Sequence, residues 1–384
     1  MSAPNPAAGA PLRVLQVGAG LMGRNWLRTL ASCPDVELAG LVDLDTASAA
    51  EALAETGHTA VPIGTTVSGL AESVQPDFVL NVTVPAAHHP VTLESLRLGL
   101  PVLGEKPLAD SLEQAMQLVA AAETHNRLFM VSQSRRYEPH LFTFRDQVGG
   151  LGRLGILATE FFRAPRFGGF RDTMDHPLVL DMAIHAFDTA RFVTGAGPVA
   201  VYCEEYNPAW SWYGGDAAAT AVFEMDGGIR FSYTGSWCSD GHETSWNGSW
   251  RASAEHGTAR WDGDHAPVVD AVSGTLRTAA AAGPHDGLPA GASGIDAALR
   301  EFAAALRTGA TPMGECHDNL ASLAMVYAAI ASATERRRIT VADLLARAHE
   351  RARRQAPDDV RAALDGWTAL LPPGVARSGP AASA

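Results

Sequence analysis

A single lysine, Lys106 in the stretch GEKPLAD (104–110), stands beside 28 arginines, that is, 29 basic residues less this one. The two side chains differ chemically, because an ammonium group can give up a proton whereas a guanidinium in a protein effectively cannot. A chain that otherwise uses arginine has a reason to keep one lysine if that lysine takes part in catalysis. Biased codon usage that spared one lysine by chance is the alternative, so the neighbouring residues must decide.

A second group of reactive types interrupts the apolar stretch 177–195, which begins with proline, ends with glycine and is predicted to be a buried helix. Asp181, His185 and Asp188 are spaced four and three residues apart, so on an α-helix they lie within an arc of roughly 60°. Burying such groups unpaired is costly. Catalysis by Asp181 and His185 is one explanation. The other is a self-satisfied polar cluster in which Asp188 caps the helix or pairs with an arginine such as Arg191.

A glycine fingerprint, GxGxxG, lies near the start of the chain. It consists of Gly18, Gly20, Leu21, Met22 and Gly23, with Ala19 in the second position. A predicted strand precedes it, a predicted helix follows it, and Asp43 ends the next strand 20 residues beyond Gly23. This context is typical of a dinucleotide site, in which the phosphates rest on the helix N-terminus.

The carboxylate of Asp43 also bears on the choice of cofactor. It accepts hydrogen bonds from ribose hydroxyls and repels a 2′-phosphate, and no arginine follows it in VDLDTAS (42–48). The sequence therefore predicts NAD as the cofactor in preference to NADP.

Strands and helices alternate through the first third of the chain, which predicts βαβ units and a doubly wound parallel sheet, an α/β Rossmann domain. The predicted strands are 12–20, 36–45, 76–85 and 101–107. Ligands gather beyond the carboxyl ends of such strands. The residues expected there, besides the fingerprint and Asp43, are Thr83, Pro85, Glu105 and Lys106. His88 follows closely and is expected either to contact the nicotinamide ribose or to cap a helix.

The chain after about residue 135 is predicted to form a large, mainly antiparallel sheet with the helix already described, an α+β arrangement. The predicted strands are 153–165, 200–208, 217–228, 229–237 and 245–263. The expected organisation is a disordered N-terminus at 1–11, an NAD(P)-binding domain at 12–134, a substrate and oligomerisation domain at 135–340, and a helical extension with a disordered tail at 341–384.

Composition narrows the classes of partner. The net charge of −13 disfavours nucleic acid and anionic membranes. No apolar run approaches the roughly 18 residues of a membrane span, and the first residues do not resemble a signal peptide, so a cytoplasmic protein is expected. The four cysteines lack CxxC spacing, which predicts neither disulfides nor a thiolate metal site. A metal held by His176, Asp181 and His185 has no further ligand spacing to support it, and none is predicted.

Five of these stretches together resemble the Gfo/Idh/MocA oxidoreductases, the family of glucose-fructose oxidoreductase and inositol dehydrogenase. They are VGAGLMG, NVTVPAAHHP, GEKPLA, RRYEP and DMAIHAFD, and the resemblance covers roughly residues 12 to 341. It implies a Rossmann domain followed by an open antiparallel sheet whose free face forms homodimers or homotetramers. It also implies NAD(P)-dependent oxidation of a secondary alcohol on a sugar, inositol or related polyol.

The resemblance assigns the functional roles to Lys106, Asp181 and His185. Many members precede the helix with a glycine-rich loop, whereas this chain has RDTMDHP (171–177), so the identity of the substrate is not carried over. Arg163 and His176 are candidates for the substrate side of the site.

Oxidation of a carbinol requires a base for the hydroxyl proton and a cation near the developing alkoxide. His185 is suited to the proton transfer, Asp181 to orienting the imidazole or holding the substrate hydroxyl, and Lys106 to stabilising negative charge. Two other classes are alternatives. An NAD-dependent lyase or glycosidase that oxidises a ring hydroxyl transiently would keep the same residues. The other is a sensor that binds NAD without turnover. The intact set of three residues argues against the sensor.

Overall fold

The computed structural model describes residues 10–58, 60–272 and 291–370. The disorder expected at residues 1–9 and 376–384 lies outside the described residues. The chain is divided into two compact units. The described part of the first comprises 10–58, 60–134, 291–320 and 348–368, and that of the second comprises 135–272, 321–347 and 369–370.

The first unit contains a six-stranded parallel sheet with the order β3-β2-β1-β4-β5-β6. Its strands are β1 Leu12–Val17, β2 Val36–Val42, β3 Ile63–Gly64, β4 Phe78–Asn81, β5 Val102–Glu105 and β6 Phe129–Ser132. The connecting helices are α1 Leu21–Ser32, α2 Thr46–Glu55, α3 Val67–Val74, α4 Pro85–Arg97 and α5 Leu112–His125. The strand order reverses between β1 and β4, which is the switch point where such sheets bind ligands. The predicted Rossmann fold is confirmed.

The second unit contains an eight-stranded mixed sheet with the order β13-β12-β11-β7-β10-β9-β8-β14. Its strands are β7 Leu154–Phe162, β8 Pro198–Tyr206, β9 Ala218–Met225, β10 Arg230–Ser236, β11 Ser249–Ala254, β12 Gly257–Trp261, β13 Val268–Ala271 and β14 Ile339–Thr340. Only the β7–β10 pair among them is parallel. The prediction of a mainly antiparallel sheet is confirmed. The predicted strand 245–263 is in fact the hairpin of β11 and β12.

The helical segment of the second unit begins differently from the prediction. Helix α6 covers Pro139–Gly150, and the stretch Pro177–Ala183 is π-helical before α7 runs from Ile184 to Thr194. The prediction of one continuous α-helix from 177 is therefore wrong for its first turns. A π-helical turn is wider than an α-turn, so the 100° step used to place Asp181 does not apply there. Such turns are frequent at functional sites.

The first and last of the four C-terminal helices belong to the first unit. The four helices are α8 Gly294–Thr308, α9 Cys316–Glu335, α10 Val341–Gln355 and α11 Asp358–Asp365, and the division between the units falls within α9 and α10. Phe302 of α8 packs edge-on against Phe78 of β4 at 5.1 Å between ring centroids. The domain boundaries expected from the sequence stay a prediction. Among the described helices, none is both long enough and apolar enough to cross a membrane.

Helix α11 is held on the first unit by apolar and charged contacts. Val360 and Leu364 are fully buried, and Asp359 accepts two hydrogen bonds from Arg97, at 2.8 and 2.9 Å. Because exposed ion pairs contribute little, the buried leucine and valine carry most of this attachment.

We expect Leu364→Ala to destabilise the first unit by about 2–5 kcal/mol, because it leaves a cavity in a fully buried position. Asp358→Ala on the same helix is the control, since the Asp358 side chain is 95% exposed. Urea unfolding followed by tryptophan fluorescence measures both. Equal midpoints for the two variants would show that α11 is not part of the cooperative unit.

Candidate active site

The glycine fingerprint has the shape that a dinucleotide requires. Gly18 has φ 104°, and a Cβ on it would lie 2.6 Å from the carbonyl oxygen of Val82, at the adjacent end of β4. A Cβ on Gly23 would lie 2.3 Å from the carbonyl oxygen of Gly18. At Gly20, by contrast, a Cβ would meet no described atom within 4 Å. Gly18 and Gly23 are therefore required by protein packing, whereas Gly20 leaves the backbone open to a ligand.

The fingerprint loop is held by a buried side chain, and the helix that follows it begins with an N-terminus that suits an anion. The buried Gln16 amide donates to the carbonyl oxygens of Gly18 and Gly23, at 2.9 and 3.0 Å. Helix α1 begins after Gly20 without a side-chain cap. An uncapped N-terminus presents backbone N–H groups and the positive end of the helix dipole, and both suit a pyrophosphate.

Asp43 lies at the carboxyl end of β2 and is held against the fingerprint. Its Oδ2 accepts from the Ala19 N–H at 2.7 Å, and its Oδ1 accepts from the Asp45 N–H at 3.0 Å. An ionised carboxylate has about four acceptor positions, so two hydrogen bonds leave capacity for ribose hydroxyls. The residues from Gly18 to Asp43 thus fit an NAD molecule.

Glu105 connects the fingerprint helix to the strand that carries the lysine. Its Oε1 accepts from the indole N–H of Trp26 in α1 at 2.9 Å, and its Oε2 accepts from the backbone N–H of Lys106 at 3.1 Å. Burial raises the pKa of the Glu105 carboxyl, and the hydrogen bond from Trp26 opposes that rise. The Lys106–Pro107 peptide bond is cis. The role of Trp26 was missed because nothing in its sequence position marks it as a partner of Glu105.

His88 lies beneath the same strand end. It is 3% exposed, with Nδ1 2.6 Å from the carbonyl oxygen of Pro107 and Nε2 3.1 Å from that of Thr83. Asn81 accepts a hydrogen bond from the Thr83 hydroxyl at 2.7 Å, and Pro85 is the first residue of α4. In the structure His88 therefore joins two loops at the ends of neighbouring strands. Its predicted contact with the nicotinamide ribose stays a prediction.

Asp181 in the second unit is paired with Arg171. The Arg171 Nε donates to Asp181 Oδ2 at 2.7 Å, and the guanidinium carbon lies 4.7 Å from the ring centroid of Phe170. Arg171 belongs to RDTMDHP, the segment in which the sequence departs from the family. The sequence of this segment does not by itself predict the ion pair with Asp181.

His185 is 8% exposed and lies in the first turn of α7. Asp188, one turn further, accepts two hydrogen bonds from Arg136 at 2.7 Å and one from the Ser322 hydroxyl at 2.6 Å. Arg191 joins this cluster by donating to Ser322 at 2.8 Å. For Asp188 the structure thus has the polar cluster, in which Arg136 contacts the carboxylate and Arg191 contacts the Ser322 hydroxyl.

The two candidates for substrate contact, His176 and Arg163, have carboxylate partners within the second unit. His176 Nδ1 lies 3.0 Å from Glu205, and the hydrogen bond with that carboxylate raises the pKa of the imidazole. Arg163 is 2.7 Å from Glu243 and donates to the Thr244 carbonyl at 2.7 Å. Their substrate roles stay predictions.

A further charged cluster lies in the first unit around His317. Its Nδ1 is 2.7 Å from Glu315 and its Nε2 is 2.7 Å from Glu123. Hydrogen bonding to Glu315 raises the pKa of His317 to about 9. Ligand atoms of Glu315, Cys316 and His317 lie within 4.8 Å of one another, close enough for a metal. The ion pairs already account for this arrangement, and we assign no metal to it.

The fold and the fingerprint define a dinucleotide-binding oxidoreductase of two compact units. Family comparisons agree. The model described as "Oxidoreductase family, NAD-binding Rossmann fold" matches residues 12–133, and that of the GFO/IDH/MocA C-terminal domain matches residues 149–260. The chain belongs to the Gfo/Idh/MocA family and is an NAD-dependent dehydrogenase.

Relatives cover nearly the whole chain. It is 28% identical to an uncharacterised protein of Sinorhizobium fredii over 83% of this chain and 93% of that protein. It is 26% identical to the D-apiose dehydrogenase of Paraburkholderia graminis over 86% and 90%. Among solved structures, an oxidoreductase from Agrobacterium radiobacter in complex with NAD+, L-tartaric acid and magnesium has a TM-score of 0.75 at 19% identity, over 87% of this chain and 99% of that one.

We expect Trp26→Phe to weaken NAD binding and to lower the stability of the first unit by about 1–3 kcal/mol. The substitution leaves a cavity at the fully buried Trp26, and the Glu105 carboxylate loses a donor in a part-buried place. Calorimetric titration with NAD and urea unfolding measure the two effects.

Trp367→Phe is the matched control, because it removes an indole donor from the exposed carboxylate of Glu123. It should change neither quantity appreciably. An equal loss in both variants would show that the Trp26–Glu105 hydrogen bond has no special part in the site.

The raised pKa of His317 predicts a pH-dependent stability. A histidine that titrates near pH 6.5 when unfolded and at about 9 when folded stabilises fully below pH 6.5 and loses that contribution as the pH rises through 9. The difference in melting temperature between the protein and His317→Asn should therefore be constant below pH 6.5 and shrink toward zero above pH 9. Since the side chain is 39% exposed, we expect less than about 1 kcal/mol. A difference that grows with pH would contradict the assignment.

Proposed function

We propose that this protein oxidises a secondary alcohol of a sugar, inositol or related polyol, with NAD as the hydride acceptor. The observation that carries the proposal is the arrangement at the switch point of the parallel sheet. There the open backbone of Gly20, the fixed carboxylate of Asp43 and the Glu105–Lys106 strand end lie at the carboxyl ends of β1, β2 and β5 of one sheet.

Different residues of the first unit bind different parts of NAD. The backbone from Gly18 to Gly23 binds the pyrophosphate and Asp43 binds the adenosine ribose. When bound, the nicotinamide supplies a hydride acceptor. Because the carboxylate of Asp43 is fixed by two N–H groups, it cannot easily move away from a 2′-phosphate, and NAD is favoured over NADP.

The catalytic roles rest on the family resemblance and on the chemistry of the side chains. His185 takes the hydroxyl proton, Asp181 orients the imidazole or the substrate hydroxyl, and Lys106 stabilises the developing alkoxide. Arg171 holds the Asp181 carboxylate in one position. Relatives named inositol 2-dehydrogenase, such as one from Saccharopolyspora erythraea that is 30% identical over 50% of this chain, support a polyol substrate.

We also propose a homodimer or homotetramer formed through the free face of the second sheet. Tyr202 and Val222 are register partners on β8 and β9, and their exposed fractions are 54% and 46%. Neighbouring exposed apolar side chains of this kind are typical of a contact surface.

The test of the function is a screen of the purified protein with NAD and a panel of inositols, pentoses, hexoses, sugar acids and hexitols, followed by NADH absorbance. Substrate-dependent NADH formation is the expected result. A second series with NADP shows the cofactor preference. Failure of every substrate with both cofactors would contradict the proposal.

We expect Asp43→Ala to narrow the preference for NAD over NADP by roughly 10- to 100-fold. The substitution removes charge-assisted hydrogen bonds to the ribose and the repulsion of the 2′-phosphate. Titration of both cofactors measures the two affinities. Equal affinities in the unmodified protein would rule out the assigned role of Asp43.

We expect Lys106→Arg to fold normally, to bind NAD within a few-fold and to lose at least roughly 10² in kcat. The positive charge is kept, but the longer planar group displaces the donors and cannot exchange a proton at neutral pH. Steady-state kinetics and NAD titration measure the effects. Near-normal turnover would show that the lysine is an accident of composition, and loss of folding would show that it is structural.

A further inference from the structure

The second unit carries four arginines around Asp181 and the loop at 240–246, and only three of them have carboxylate partners. The pairs are Arg163 with Glu243 at 2.7 Å, Arg166 with Asp240 at 2.8 Å, and Arg171 with Asp181 at 2.7 Å. The fourth, Arg135, has no carboxylate within ion-pair distance among the described residues. Its side-chain hydrogen bond is to the carbonyl oxygen of Trp246.

A continuous set of contacts leads from Arg135 to Asp181. Arg163 stacks over the Trp246 ring at 4.1 Å, and Trp246 stacks on Phe167 with the ring centroids 6.3 Å apart. Arg171, which pairs with Asp181, lies 5.7 Å from the same Phe167 ring. We call Arg135, Arg163, Arg171, Phe167 and Trp246 the arginine–aromatic cluster.

The cluster combines an accessible surface with a positive charge that has no carboxylate within ion-pair distance among the described residues. Burial, and to a lesser extent the nearby Arg163, lower the pKa of Arg135 to about 10 against the opposing effects of Tyr233 and Asp181, so the guanidinium stays charged at neutral pH. Holding such a charge in a part-buried place is costly without a partner. Phe167 and Trp246 are 54% and 40% exposed, so a small molecule can reach the cluster.

A second polar group in the same place lacks a partner. The hydroxyl of Tyr233 on β10 is buried and has no hydrogen bond to any described residue, and Tyr233 interacts electrostatically with Arg135. A buried hydroxyl without a partner costs free energy unless a ligand or water satisfies it. Arg135 and Tyr233 are thus two separate indications of a polar ligand.

We propose that Arg135 binds a carboxylate of the substrate, so that the alcohol oxidised is part of a sugar acid or a polyol acid. This inference rests on the proposed function and names its substrate class. The planar guanidinium fork binds a carboxylate through two parallel hydrogen bonds. The exposed faces of Trp246 and Phe167 offer apolar contact to the C–H groups of the carbon chain.

The charge balance favours a carboxylate over a phosphate. One unpaired guanidinium matches one negative charge, whereas a phosphate monoester carries about −1.5 to −2 at neutral pH. The whole chain has a net charge of −13 and repels anions at long range. An acidic substrate therefore needs a local cation. Arg135 is the arginine of this group that forms no ion pair with a described carboxylate.

The experiment compares ligands of equal carbon skeleton and different charge. D-Gluconate is paired with D-glucitol and D-glucuronate with D-glucose, and D-glucose 6-phosphate tests for a phosphate. Each is titrated calorimetrically into the NAD-bound protein, and NADH formation is followed separately. The variants are Arg135→Met, which removes the charge, and Arg135→Lys, which keeps the charge but loses the fork. Arg166→Gln is the control, because it removes an arginine that is already paired with Asp240.

We expect the unmodified protein to bind an acid roughly 10- to 100-fold more tightly than its neutral counterpart. Arg135→Met should abolish that difference, Arg135→Lys should reduce it, and Arg166→Gln should preserve it. If the Met variant does not fold, the reduction in the Lys variant still decides the question.

Equal affinity for acids and neutral counterparts, a preference for the phosphate, or a difference that persists in Arg135→Met would overturn the inference. If one of these results is found and neutral polyols are nevertheless oxidised, the inference is overturned but the proposed function stands. Conversely, Arg135-dependent binding of acids without NADH formation from any substrate would overturn the proposed function and keep the carboxylate site.

Discussion

The carboxylate of Glu105 is the point on which the candidate cofactor site depends. It is a part-buried charged group, and its two donors come from different elements: the indole of Trp26 on the fingerprint helix, and the backbone N–H of Lys106 at the end of β5. The two hydrogen bonds to this carboxylate fix the position of the helix that faces the phosphates relative to the strand end that carries the lysine. Because a part-buried acceptor is costly to leave unpaired, the position of the lysine follows from the same contact.

Other hydrogen bonds also hold the loops at this edge of the sheet. Gln16 holds two of the fingerprint glycines from below, and Asp43 holds the loop through the Ala19 N–H. His88 joins the loops that follow β4 and β5. Side chains thus link the ends of β1 and β2 and the loops that follow β4 and β5, so the residues that face a cofactor are held before one binds.

Much of this was predictable from the sequence because local spacing determines it. The fingerprint, its distal Asp43 and the alternation of strands and helices require only short-range patterns, and the structure has the predicted sheets. Three features of the fold were not predictable from the sequence. Two-residue strands such as β14 are too short to show an alternating apolar pattern, and the π-helical turns at Pro177–Ala183 do not differ in composition from an α-helix. The packing of α8 and α11 in the first unit depends on contacts between residues distant in sequence.

The same distinction holds within the candidate site. Asp181 was singled out by its type and spacing, but Arg171, ten residues earlier, was not, because an arginine in an irregular loop has no preferred partner in sequence. For the same reason the contact between Arg136 and Asp188, which are 52 residues apart, was not predictable from the sequence. Ion pairs of this kind follow from the tertiary fold and require the structure to be identified.

Net transfer of hydride from a carbinol carbon to NAD is measured with a substrate deuterated at that carbon. Mass spectrometry of the products should find one deuterium in each NADH formed, and the amount of keto product should equal the amount of NADH. A product of elimination or glycoside cleavage that accumulates without NADH would contradict the account and would indicate transient oxidation instead.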